Sequence, residues 1–146
     1  ALNVSRGTMH TLNTFLFGDP EDWSREKVFD LVRDYFSKDA DVEFSEEEVP
    51  FGNIPPKLRV GFGDYFFKVS VIEDKTINES ISHIKEITGE NIESQKELLC
   101  EFRTTFSNDK DSDFDHIAIS MYQFLENLPF SLVYDDSHKK VILKNI

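Results

Sequence analysis

The sequence predicts an α+β domain with a mainly antiparallel sheet of about five strands and three helices. Five short runs rich in aromatic and β-branched residues recur along it. Three other segments place apolar residues at helical spacing. Many of these pieces are joined by short turns, which suit antiparallel neighbours better than the long crossovers of a parallel sheet. At 146 residues the chain fits a single domain, residues 9–146, and is long enough to bury a substantial core. Residues 1–8 stand before Met9 and include Ser5-Arg-Gly-Thr8. They read as a vector-derived remnant and are set aside.

The first helix is expected from Asp19-Pro-Glu-Asp22 to Lys38. Asp19 is the N-cap, Pro20 takes the first helical position, where its missing N–H costs nothing, and acids in the first turn suit the helix dipole. Val28, Leu31, Val32, Tyr35 and Phe36 form its apolar face. Asp39–Pro56 follows, with Pro50, Gly52, Pro55 and Pro56, and reads as a long loop with at most a short strand near Val42–Phe44. Leu58–Phe62 and Tyr65–Ile72 are strands of one hairpin turning at Gly61–Asp64.

Thr76-Ile-Asn-Glu79 has the spacing of a capping box and opens a second helix. Ile77, Ile81, Ile84 and Ile87 form its inner face, and Gly89 stands where a left-handed residue ends a helix. Leu98–Phe106 alternates as a strand. Asp115 is placed as the cap of a third helix, His116 to Leu128, stopped by Pro129, with Ile117, Met121, Phe124, Leu125 and Leu128 as its buried stripe. Ser131–Tyr134 and Lys139–Leu143, with the turn Asp135–His138 between them, form a C-terminal hairpin.

No motif assigns catalysis. Gly61-Phe-Gly63 lacks the third glycine and the lysine of a phosphate loop. Asp109-x-Asp111-x-Asp113 imitates the start of a calcium loop, but Phe114 takes the position of its turn glycine and Ser120 that of its closing glutamate. The histidines, His10, His83, His116 and His138, are dispersed without ligand spacing, so neither a metal site nor a cofactor is expected. Cys100, the single cysteine, can form no intrachain disulfide and reads as a small core residue. Glu101 and Arg103 share the predicted outer face of their strand, the ordinary arrangement of a surface pair. An enzymatic alternative would assemble a hydrolase site from His83, His116, Glu101 and Arg103.

Charge is the strongest functional signal. There are 28 acidic and 16 basic residues, a net charge of −12. Such a field repels nucleic acid and anionic membranes and attracts cationic surfaces. Lys139, Lys140 and Lys144 are too few for a phosphate-binding face and suit a guarded sheet edge. Mean hydropathy is −0.40. No apolar run reaches the ~18 residues of a membrane span and no signal peptide is evident, so a cytoplasmic protein is expected.

Carboxylates concentrate at Asp39, Asp41, Glu43, Glu46, Glu47 and Glu48, with Phe44 and Phe51 beside them. These eight residues are the expected contact surface for a basic protein partner: acids to steer, aromatics to anchor. The leading expectation is a stoichiometric inhibitor of a basic partner such as a bacterial nuclease toxin, by analogy of charge and size with small acidic immunity proteins. A generic interaction or adaptor domain is the alternative.

Overall fold

Leu12, Thr14 and Leu16 alternate with Asn13, Phe15 and Phe17, which puts large apolar side chains on both faces of one extended segment. Such a strand belongs inside a sheet covered on both sides. The computed structural model, which describes residues 10–48, 50, 54–109 and 113–146, places it there. The elements are β1 (His10–Gly18), α1 (Arg25–Phe36), β2 (Glu43–Glu47), β3 (Lys57–Phe62), β4 (Tyr65–Ile72), α2 (Thr76–Thr88), β5 (Glu97–Phe106), α3 (Asp115–Glu126), β6 (Ser131–Asp135) and β7 (Lys140–Asn145). All pairings are antiparallel, in one sheet of order β2-β3-β4-β5-β1-β6-β7. The α+β class and the three helices stand, but the sheet has seven strands where about five were expected.

The two additional strands have different causes. β1 carries no alternation of apolar and polar residues because both its faces are buried. β2 is rich in glutamate, a poor strand former, and forms because β3 supplies a ladder from Glu43↔Gly61 to Glu47↔Lys57. The segment read from Asp39 as a loop with at most a short strand near Val42–Phe44 therefore holds a longer edge strand, Glu43–Glu47.

α1 and α3 cover one face of the sheet and α2 the other. On the first face Val28, Phe29, Val32 and Phe36 of α1 and Met121 and Leu125 of α3 close over Leu12, Leu16, Val60, Phe67 and Phe102. Phe67, fully buried, lies 5.1 Å from Phe36 and 5.6 Å from Phe106 between ring centroids. On the second face Ile81 and Ile84 of α2 pack on Phe15, Phe17, Leu132 and Tyr134. Ladder register slips between Leu16 and Phe17: Leu16 opposes Cys100 and Phe17 opposes Leu98, which skips Leu99. This bulge sends Leu98 to the α2 side, away from the face of Cys100 and Phe102 with which simple alternation groups it.

Helix starts also differ from expectation. α1 begins at Arg25 with Ser24 as its cap, whose Oγ accepts from Lys27 N at 3.3 Å; Asp19–Asp22 is a separate turn closed by Asp22 N donating to Asp19 O at 2.8 Å. The capping box of Thr76 and Glu79 does not form. Asp74 instead accepts from Thr76 N at 2.9 Å and from its hydroxyl. Asp115 lies inside α3, and Asp109 accepts from Asp113 N at 3.1 Å and Phe114 N at 2.9 Å just before it. That use of the Asp109 carboxylate makes it a turn-former; Asp111 of the calcium-like run lies outside the described residues. Gly89 ends α2 at φ 70°, as its position predicts. Leu31 and Ile87, assigned to apolar faces, are 41% and 46% exposed, and Phe29 takes the inner position on α1. Among the described residues no helix is long and apolar enough to cross a membrane.

Candidate functional site

Three places bring chemistry-bearing side chains together. The first is the acidic sheet edge. Not all of its carboxylates are free: Glu46 reaches Arg33 of α1 at 3.5 Å, and Glu47 reaches Lys68 at 2.7 Å and Arg59 at 3.9 Å on the other face. Arg59 in turn lies over the Phe66 ring at 4.5 Å, so aromatic and cationic stems cover this part of the sheet. Asp39 accepts from Asp41 N at 3.0 Å. Asp41, Glu43 and Glu48 are exposed and have no ion-pair partner among the described residues. Phe44 is half-buried against the core, and Phe51 lies outside the described residues. Beside the edge, Asp39 and Asp41 rim a hollow of about 330 Å³ whose other walls are Phe62, Phe114 and His116.

The second place is a cleft of about 290 Å³ between α2 and the sheet, lined by Asn13, His83, Arg103 and Tyr134 among others. It is built on cross-strand neighbours: Arg103 opposes Asn13, and Asn13 opposes Tyr134. Glu101 lies beneath. Its Oε2 accepts from Asn13 Nδ2 at 2.6 Å and from Arg103 Nε at 3.1 Å. Glu101 is wholly buried, which corrects the expectation of an outer surface pair: that face of β5 is partly covered by α2. Glu101 Oε1, Asn13 Oδ1 and the Tyr134 hydroxyl are buried without hydrogen-bond partners among the described residues. Of the residues named for an acid–base site, His83 and Arg103 line this cleft, and Glu101 is bonded to Arg103 but does not line it. His116 does not; it stacks on Phe114 across the sheet.

The third place joins the start of β1 to the turn between β6 and β7. Asp135 accepts from Ser137 N at 2.9 Å and His138 N at 3.1 Å through Oδ1, and faces His138 Nδ1 at 2.8 Å through Oδ2. His10 Nε2 is 3.9 Å from that same Oδ2. His10 is 1% exposed, and neither of its ring nitrogens has a hydrogen-bond partner among the described residues. Burial holds its imidazole below the usual histidine range; Asp135 acts against this, and His138 adds to it.

Comparison with protein-family models, with curated proteins and with solved structures finds no match. Chain spacing concealed the third cluster, because His10 and His138 are brought together only by the pairing of β1 with β6. The one available signal was polar chemistry at the two ends of that pairing. Cys100 is buried, as expected, and burial pushes its thiol up to about 12, with Glu73 and Glu101 adding to the shift. That environment is opposite to the one that activates a nucleophilic thiolate.

Proposed function

We propose that the protein is an acidic protein-binding module that takes a basic partner along the edge of β2, acting as a stoichiometric inhibitor of the immunity-protein kind, for example of a bacterial nuclease toxin. One observation carries the reading: the acidic segment forms the terminal strand of the sheet, and no strand pairs with its outer side among the described residues. An open edge presents a row of main-chain donors and acceptors to which an extended segment can add. Carboxylates along it repel a second copy of the same edge and favour a cationic strand. Asp41, Glu43 and Glu48 supply the unpaired charge.

The aromatic share of the anchoring moves. Phe44 belongs largely to the core, so the hollow of Asp39, Asp41 and Phe114 is the better receptor for a basic side chain of the partner. Its rim is negative and its walls are aromatic, a combination that suits a guanidinium group.

The test is capture from the native organism's lysate at low salt, using wild type and the Asp41→Lys/Glu43→Lys/Glu48→Lys variant side by side. A basic protein held by wild type, released by salt and lost by the variant supports the reading. Equal retention by both, with unchanged thermal unfolding, removes it.

A second reading rests on the cleft over Glu101, where three buried polar atoms lack partners among the described residues. They favour a small polar ligand, with His83 on the cleft wall as the group for proton transfer and Arg103 as a cationic donor. Loss of a captured protein on edge charge reversal favours the first reading. A small molecule whose binding vanishes in Arg103→Ala, with capture unaffected by the edge changes, favours the second.

A further inference from the structure

We propose that His10, Asp135 and His138 form a binding site for a single divalent transition ion of the Zn²⁺ class. One donor atom from each residue lies within 4.8 Å of the other two. The donors are two imidazole nitrogens and a carboxylate oxygen, a set that suits first-row ions such as Zn²⁺ better than Ca²⁺ or Mg²⁺. At Zn–N and Zn–O distances of about 2.0–2.1 Å, tetrahedral ligands stand about 3.3 Å apart. The two carboxylate–imidazole separations bracket that value: 2.8 Å from Asp135 Oδ2 to His138 Nδ1, and 3.9 Å from Oδ2 to His10 Nε2. A shift of about half an ångström in each would bring both to the spacing the ion requires, and the two imidazole nitrogens, within 4.8 Å of each other, would close on the ion with them.

The surroundings favour the assignment. His10 comes from β1 and packs against Phe106 with centroids 6.1 Å apart, which fixes the ring. Asp135 is held by the two turn N–H groups on Oδ1, leaving Oδ2 to face the histidines. This is the kind of outer support that orients a ligating carboxylate. A buried imidazole with neither nitrogen partnered among the described residues is costly in a native protein, and an ion at Nε2 satisfies one of them. The His138 side chain is 35% exposed and gives the ion a route from solvent. Binding replaces the Nδ1–H of His138 by the metal, so its proton leaves to solvent or moves to Nε2. Three protein ligands leave a further coordination position for water or for a donor of a partner.

The site is tested on the full chain without an affinity tag, stripped with a chelator and titrated with Zn²⁺ by calorimetry and with Co²⁺ by visible absorption. Expected are one saturable ion per chain, the visible bands of low-coordinate Co²⁺ and a rise in Tm with added Zn²⁺. His138→Ala and His10→Phe should each weaken binding by about tenfold or more, as loss of even an outer-shell partner commonly does. His83→Ala and His116→Ala should leave it unchanged. His138 is partly exposed, so its replacement keeps the fold and decides the matter if His10→Phe does not fold. Absence of saturable binding, equal affinity in His138→Ala, or a comparable loss in His83→Ala would overturn the proposal.

Discussion

Asn13 and Glu101 are joined across the β1–β5 pair, the amide Nδ2 donating to Oε2 of a fully buried carboxylate at 2.6 Å. Arg103 reaches the same oxygen from the partly exposed side of the cleft. The carboxylate thus depends on two donors, one neutral and one charged. Glu101→Ala leaves both without their acceptor and opens a gap under α2. A loss of about 2–4 kcal/mol in unfolding free energy is expected, measured by urea denaturation. Arg103→Ala should reduce stability further than a fully exposed pair would, since it strands the buried charge.

Phe67 stands at the centre of the face covered by α1 and α3, with Phe36, Phe62 and Phe106 around it. Phe67→Ala removes the ring that these three share. The expected cost is about 3–5 kcal/mol, and Phe67→Leu should cost clearly less. Thermal unfolding of the two variants checks the order.

Stability should fall on the alkaline side. Burial first, then the charges of Asp109 and Asp115, raise the Tyr65 hydroxyl above its ordinary 10.0. The Cys100 thiol is raised from 9.0 to about 12. Both groups hold their protons in the folded chain at pH values where the unfolded chain has released them. Their contribution is therefore complete below the unfolded values and is lost as pH climbs through the folded ones. Urea midpoints should decline once pH exceeds 9, the ordinary value of the thiol. At neutral pH, modification of Cys100 by a thiol reagent should proceed only as fast as the protein unfolds.

Gly89 ends α2 at φ 70°, and a Cβ there would meet nothing within 4 Å. The cost of Gly89→Ala is thus conformational alone, about 1–2 kcal/mol. Gly89→Asn should recover part of it, because asparagine tolerates the left-handed region better. Comparing the two by chemical denaturation separates backbone preference from packing.

Elements with one buried face were legible in the sequence. Ile77, Ile81 and Ile84 placed α2, and alternation along Tyr65–Ile72 placed β4. β1 escaped because burial on both faces removes the polar half of the pattern. β2 was legible as at most a short strand near Val42–Phe44, because its strand character comes from pairing with β3 and not from Glu43, Glu46 or Glu47 themselves. Helix starts were misassigned where a rival acceptor stood nearby: Ser24 caps α1 in place of Asp19, and Asp74 takes the hydroxyl of Thr76 that the capping box needs. The acids of the β2 edge were visible as composition, whereas their pairing with Arg33, Arg59 and Lys68 depends on neighbouring elements. Meetings of distant residues, Asn13 with Glu101 and His10 with Asp135, follow from strand order, which no local pattern encodes.

The central place of β1 constrains how the molecule can be made. Its neighbours β5 and β6 come late in the chain, and Thr11 meets Thr105 across 94 residues of sequence. During synthesis Phe15, Leu16 and Phe17 emerge long before either partner exists. The hairpin of β3 and β4 can form early, but β1 cannot join the sheet until β5 has left the ribosome, and it stays open on its other side until β6 follows. Such long-range closure is slow, and the waiting strand is adhesive in the meantime. A chain stalled before β6 should accordingly be bound by holding chaperones, while one released after β7 should escape them.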